Sequence, residues 1–392
     1  MHKVRPTQAR IARSIDLLLA PLHAAARWLR CRRAPSPPSS ILVVELWRLG
    51  DVVLVTPALQ SLRERFPSAR ISLLAAPETV SLLSGQNVVD EILPFAAPWI
   101  EHRYRILRWH WRDLWRQVRR LRSRRFDVAV DFRGDFRDNL LMWLVGARQR
   151  IGFAFAGGGA LLTRIVPGEP DRHQADQALD AVAALRAGRE RFGTRLWISD
   201  EEAREARHWL ERNGLRKDRR PLVAIHPGAR WEGRRWLPER FADLADSLVR
   251  FDGARILLLG GAGDDAVLLE IRRRMRSECV VARPALRQLL ALLASCDLFI
   301  GVDSGPMHIA TAVGTPVIGL FGPQRPEWFG PYGAGHRIAM ADVPCRPCDQ
   351  TVCSRPETSC MRLLETRAVV DLARAGLRAA ERAPASAGGS AG

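Results

Sequence analysis

Lysine is all but missing from this 392-residue chain, occurring only at Lys3 and Lys217. The positive charge is therefore arginine's: 60 Lys plus Arg face 42 Asp plus Glu, a formal net charge of +18. Such an excess points to anionic partners such as nucleic acid, acidic lipid or a phosphorylated glycan, although a GC-rich coding bias toward arginine leaves the same signature. No run of about 18 apolar residues exists, which excludes a helix crossing a bilayer. The seven cysteines cannot form an even disulfide set, and Cys31, Cys279 and Cys296 lie apart from the rest; a reducing compartment is the simpler reading. No G-x-G-x-x-G with a following acid is present, which argues against a nicotinamide dehydrogenase, and no recognisable RNA-binding motif supports a nucleic-acid partner. What is present, 47% hydrophobic and 26% charged residues, is a globular composition long enough for two domains.

The chain reads as six segments. Residues 1–40 are a basic extension ending in a Pro/Ser linker. Its apolar stretch, residues 11–22, is too short and too interrupted by Arg13 and Asp16 for a signal peptide. With Arg27, Arg30, Arg32 and Arg33 behind it, the stretch is either an amphipathic helix on an anionic membrane or a plain basic extension. Residues 41–199 read as a first alternating β/α domain, with strands at 41–46, 71–75 and 126–131 and a helix over 52–65. A connector follows at 200–220. Residues 221–362 hold a second βα series with strands at 222–225, 256–259, 297–302 and 317–321 and helices at 237–249 and 286–294. A helix at 363–382 and a tail at 383–392 complete the chain. The fold class is α/β, two Rossmann-like domains with a cleft between them.

Chemistry-bearing residues gather where these strands end. Asp303, Ser304, Gly305, Pro306, Met307 and His308 follow the 297–302 strand and open a helix running toward Gly314. Small residues and proline in its first turn leave backbone N–H groups open to a phosphate, or simply form a capped helix start. Gly260-Gly261-Ala262-Gly263-Asp264-Asp265 is a second glycine-rich loop on the same edge, with a carboxylate suited to ribose hydroxyls. His226-Pro227-Gly228-Ala229 is a third, leading to Arg234 and Arg235, cations suited to a diphosphate leaving group. In the first domain Asp51, just after Gly50, is either a helix N-cap or a general base for an acceptor hydroxyl.

Gly50-Asp51 with Pro57 and Phe66-Pro67, His226-Pro227-Gly228-Ala229, Arg234-Arg235-Trp236-Leu237-Pro238, and the run from Asp303 to Ala310 with Gly314-Thr315-Pro316 stand in one order. Together they resemble the ADP-heptose:lipopolysaccharide heptosyltransferase family, over residues 41–374. The resemblance implies a GT-B fold and an inverting, metal-independent sugar transfer to a lipid A–core acceptor, with no cofactor beyond a donor such as ADP-heptose or another nucleotide sugar. It makes Asp51 the base and Asp303 the contact to the donor sugar. Ser304, Gly305 and His308, with His226, Gly228, Arg235 and Met307 around them, become the donor site, and Arg234 a catalytic cation. Asp265 falls near the ribose. Where the family usually has lysine in the cationic turn, this chain has Arg234 and Arg235. A cytoplasmic monomer, peripheral on the inner face of the inner membrane, follows as the expected setting.

Residues 100–125 are the most basic part of the body. Leu107, Trp111, Leu114, Val118 and Leu121 lie at helical spacing and are expected to face a core. Arg103, Arg105, Arg108 and Arg112 lie on the other side, either meeting acceptor phosphates or a membrane, or simply solvated. Cys345, Cys348, Cys353 and Cys360 crowd one loop, the first pair in C-x-x-C spacing, and stay open between a structural metal, labile disulfides and reduced packing thiols.

Overall fold

The computed structural model describes residues 37–101, 111–185, 192–216, 218, 220–348 and 353–382. The chain divides between Thr194 and Arg195 into two compact units. The first carries β1 (Ser40–Glu45), β2 (Arg70–Ala75), β3 (Glu91–Pro94), β4 (Val128–Asp131), β5 (Gln149–Gly152) and β6 (Arg164–Ile165). They form one sheet in the order β3-β2-β1-β4-β5-β6, every neighbouring pair parallel. The second carries β7 (Leu222–His226), β8 (Arg255–Leu259), β9 (Val280–Ala282), β10 (Leu298–Val302), β11 (Val317–Leu320) and β12 (Arg337–Ala339). Its order is β12-β11-β10-β7-β8-β9, again parallel throughout. In both sheets the winding reverses at a central pair, β1 beside β4 and β7 beside β10. A doubly wound sheet leaves its crevice at that reversal, at the carboxyl ends of the strands.

The longer helices of the first unit are α1 (Leu49–Leu54), α2 (Thr56–Arg65), α3 (Trp111–Ser123), α4 (Phe136–Val145) and α5 (Gln174–Ala183). Strand β1 is apolar from Ile41 to Val44 because a parallel strand is covered on both faces. Leu42, Val44 and Ala129 pack with Val118 and Leu121 of α3 and Leu141, Met142 and Val145 of α4. The helix expected over 52–65 is in fact two. Pro57 has no N–H to give, the Thr56 hydroxyl donates to the Val53 carbonyl at 2.7 Å, and the chain restarts its helix after Val55. The expected core stripe of α3 holds from Leu114 onward, with Leu114 packed half-buried against the core and Val118 and Leu121 buried, whereas Trp111 is 46% exposed. Leu107 lies outside the described residues.

The second unit adds α6 (Asp200–Arg212), α7 (Pro238–Asp252), α8 (Asp265–Arg274), α9 (Leu286–Ala294), α10 (Gly305–Ala312) and α11 (Thr366–Arg382). Helix α6 starts on a capping box, the Ser199 hydroxyl accepting from Glu202 N and the Glu202 carboxylate from Ser199 N. The same Glu202 pairs with Arg287 of α9 at 2.6 Å, which fastens this helix, expected as part of a connector, within the second unit. Val223, Ile225, Ile256, Leu258 and Ile300 pack beneath Phe241, Leu244 and Leu248 of α7. Val369, Val370, Ala373 and Leu377 of α11 complete that core. Trp236, 1% exposed, meets Phe241 edge-on and donates its indole N–H to the Leu364 carbonyl at 2.9 Å, tying the start of α7 to the approach of α11.

Candidate active site

In the first unit the reversal point is the pair β1–β4, where Val44 lies opposite Asp131. The loops leaving these strands are therefore adjacent. After β1 come Trp47, Arg48 and α1, with Arg48 as the N-cap and Asp51 in the helix's first turn. Asp51 is thus not the N-cap; its Oδ2 reaches back to accept from Arg48 N at 3.1 Å. Its Oδ1 accepts from Arg133 Nη1 at 2.7 Å. Arg133 follows β4, lies over the Trp47 ring at 4.5 Å and also donates to Gln174 Oε1 of α5 at 3.3 Å. One cation thus holds the candidate base from the neighbouring loop.

Beneath this pair sit three fully buried carboxyls, Glu45, Asp131 and Asp138. Burial pushes Glu45 up to about 8, with the Asp51 charge adding to the shift and Arg133 opposing it. Burial also pushes Asp131 up to about 7, against the N–H groups of Gly134 and Arg133 that its Oδ2 accepts from. Asp138 is raised by burial and by its acidic neighbours Asp135 and Asp131. An ion stripped of water costs several kcal/mol, so burial favours the protonated form at all three positions.

In the second unit the reversal pair is β7–β10, with Gly301 opposite His226. A Cβ on Gly301 would lie 2.9 Å from the His226 carbonyl, so the two strands approach only because glycine stands there. His226 ends β7, buried, with Nδ1 3.4 Å from the Ser304 hydroxyl and Nε2 3.8 Å from Asp264 Oδ2. Burial pulls its imidazole down to about 4, overcoming the attraction of Asp264. A neutral imidazole offers one donor and one acceptor. Gly228 is equally constrained, since a Cβ there would meet the Asp264 carboxylate at 2.4 Å. Asp264 also accepts from Gly261 N at 2.8 Å, which closes the glycine-rich loop around it.

The second unit thus brings His226, Gly228, Ser304 and Asp264 together, with Gly305 opening α10 behind Ser304. Arg234 joins them by a salt bridge to Asp303 Oδ2 at 2.9 Å, while the Arg235 guanidinium is turned to the Ala229 carbonyl at 3.0 Å. Met307 is fully buried and packs its sulfur beneath Gly319 of β11, so it shapes the floor of the segment. His308 is buried one position further along α10. Asp265 stands apart: its side chain is 73% exposed and pairs with Arg283, and the carboxylate beside His226 is its neighbour Asp264.

Among the remaining residues singled out by the sequence, Arg112 is exposed on α3, and Arg103, Arg105 and Arg108 lie outside the described residues. Cys345 and Cys353 are exposed, Cys348 is half-buried and Cys360 buried. Among the described residues no group of three or more His, Cys, Asp or Glu is placed to hold a metal ion. The sequence reading missed Trp47, Glu45, Asp131 and Asp138, gave Arg133 no role, and through the resemblance settled on Asp265 rather than its neighbour Asp264. A signal existed for Arg133: its loop leaves a strand that a doubly wound sheet places beside β1, and so beside Asp51.

Each unit thus presents an arginine–carboxylate pair at the reversal of its own sheet, Arg133–Asp51 in the first and Arg234–Asp303 in the second. Solved structures share the architecture. A glycosyl transferase family 9 protein from Veillonella parvula superposes with a TM-score of 0.73 at 22% identity, over 87% of this chain and 97% of its own. The ADP-heptose lipopolysaccharide heptosyltransferase II of E. coli gives 0.69 at 21% identity, over 87% and 99%. The fold is thus GT-B. Among curated proteins, lipopolysaccharide heptosyltransferase 2 of Salmonella typhimurium is 26% identical over 316 residues, 76% of this chain and 87% of that protein. The model of glycosyltransferase family 9 (heptosyltransferase) matches residues 114–358, well over half of the chain, which therefore belongs to that family and is a glycosyltransferase.

Proposed function

We propose that this enzyme transfers a heptose from ADP-heptose to a lipopolysaccharide core acceptor, with inversion and without a metal or other cofactor. The second unit takes the donor, its diphosphate on the N–H groups of Ser304, Gly305 and the Gly228 loop, with His226 and His308 alongside. Arg234 takes up the charge that develops on the departing ADP, and Asp303, paired with it, faces the sugar. Asp265 is proposed near the ribose and Arg235 behind the leaving phosphate. In the first unit Asp51 accepts the proton of the acceptor hydroxyl as that oxygen bonds to the anomeric carbon and the bond to ADP breaks. The acceptor's phosphates meet the arginines at 103, 105, 108 and 112. Trp111 and Trp115, 46% and 52% exposed among the arginines of α3, support a peripheral seat on an anionic inner-membrane face. The enzyme is proposed to act there from the cytoplasm, as a monomer.

The observation that carries the reading is the buried, neutral His226 held beside Ser304 and Gly228 at the reversal of the second sheet, where such sheets receive nucleotides. The test is transfer from ADP-heptose and from other nucleotide sugars to heptose-deficient lipopolysaccharide, run in the presence of a chelator. Asp51→Asn is expected to lower kcat by about 100-fold or more with KM little changed. Full activity in that variant removes Asp51 as base, and a better rate with another donor replaces heptose as the sugar.

A further inference from the structure

We propose that Arg133 is the positioning residue for Asp51, fixed in turn by Trp47 and the buried acids Glu45, Asp131 and Asp138. The inference rests on the reading of Asp51 as the base. Its central link, Arg133 Nη1 to Asp51 Oδ1, crosses the β1–β4 reversal, and local bonds on each side hold its two ends. Asp51 has two oxygens: Arg48 N holds Oδ2 at 3.1 Å and Arg133 Nη1 holds Oδ1 at 2.7 Å, so its carboxylate plane is set by one bond from its own helix and one from the next loop.

The loop bearing Arg133 is itself tied down. Asp131 Oδ2 accepts from the backbone N–H of Arg133 at 3.2 Å and of Gly134 at 2.6 Å, and Gln174 Oε1 accepts from Arg133 Nη1. The Trp47 ring on which the guanidinium lies is pinned twice, its backbone N–H donating to Glu45 Oε1 at 3.2 Å and its indole N–H to Asp138 Oδ2 at 3.4 Å. Each acid thus spends one oxygen on orienting Trp47 or Arg133, while Glu45 Oε2, Asp131 Oδ1 and Asp138 Oδ1 are buried with no hydrogen-bond partner among the described residues. Three buried acids for so few bonds is a costly arrangement if its only product were stability. Arginine also suits the task, because its Nη1 reaches both Asp51 and Gln174 while the guanidinium carbon lies over the Trp47 ring, a seat that a compact, strongly hydrated ammonium does not reproduce.

The test uses the full-length chain with ADP-heptose and heptose-deficient lipopolysaccharide, comparing Arg133→Lys, Arg133→Met, Asp51→Asn and the double variant Asp51→Asn/Arg133→Met. A base misaimed by about an ångström loses on the order of 100-fold in rate. Arg133→Met is therefore expected to lose about 100-fold in kcat and Arg133→Lys about 10-fold, with KM for both substrates within about threefold of wild type. In the Asp51→Asn background, Arg133→Met should change the residual rate by less than about threefold, since a positioning residue has nothing left to position. A full multiplicative loss in that background overturns the proposal, as does a raised acceptor KM at unchanged kcat, which would make Arg133 an acceptor ligand. If the melting curve shows Arg133→Met unfolded, Arg133→Lys decides: wild-type kcat in that variant overturns the proposal. Asp51→Asn running at the wild-type rate is a separate failure, that of the base itself.

Discussion

Replacing Glu45 by Gln removes one ionisable proton from the floor of the first unit and little else. The Oε1 that accepts from Trp47 N survives as the amide oxygen, and the changed atom, Oε2, has no hydrogen-bond partner among the described residues to lose. The carboxyl is raised from an ordinary 4.5 to about 8 by burial first and by Asp51 second. Between those two values the unfolded chain has released the proton and the folded protein still holds it, so wild-type stability drains away as the pH climbs. At about 1.4 kcal/mol per pH unit the gap amounts to something on the order of 5 kcal/mol, and glutamine escapes all of it. Wild type and Glu45→Gln should therefore melt alike near pH 4. The variant should gain steadily above that, until by pH 8 its first unit melts higher by on the order of 10 °C. Scanning calorimetry of the full chain from pH 4 to pH 9 measures this directly. If the variant is instead less stable than wild type at pH 8, Glu45 is an anion paired with Arg133 and the account of the buried cluster fails.

The second unit should answer pH in the opposite sense. His226 is held at about 4, below its ordinary 6.5, so the unfolded chain takes up a proton that the folded protein refuses, and stability is lost as pH falls through that window. A His226→Asn variant should show a flatter acid slope in calorimetry, and an unchanged slope would refute the burial argument. On the surface, the double variant Trp111→Ser/Trp115→Ser should weaken co-sedimentation with phosphatidylglycerol vesicles by about fivefold or more at an unchanged melting temperature. Undiminished co-sedimentation would move the membrane contact away from α3.

Much of the scaffold is legible in the residues because parallel strands covered on both faces read as short apolar runs. The four expected strands of the second domain lie at β7, β8, β10 and β11, and the helix expected over 286–294 is α9. The strands that escaped notice, β3, β5, β6, β9 and β12, have only two to four residues and mostly lie toward the sheet edges, where burial is partial and the apolar signal fades. The loops at the strand ends were visible through their glycines and acids. Which acid faces inward was not: Asp264 and Asp265 are adjacent, and only the turn at Gly261 decides that the first is half-buried beside His226 and the second lies in solvent. The Arg133–Asp51 pair spans 82 positions and depends on strand order, which local periodicity does not encode. The arginine excess read as a sign of anionic partners is also partly internal. Arg150 donates to the carbonyls of Leu161 and Ala147, and Arg346 to those of Gly322 and Ala341, so some of the charge serves as loop fastening.

Helix α11 gives the protein a timetable. The first unit has all its strands once the ribosome has passed residue 165, and it can close its core while the rest is still being made. The second unit cannot. Val369, Val370, Ala373 and Leu377 come from a segment synthesised after every strand they cover, and the Leu364 carbonyl that receives the Trp236 indole arrives with them. Until that helix emerges, the sheet carrying the His226 site stands with its apolar face over β10, β11 and β12 uncovered. A nascent chain stalled before residue 366 would thus hold one finished unit and one sticky, unfinished one, the state most exposed to chaperones and to aggregation.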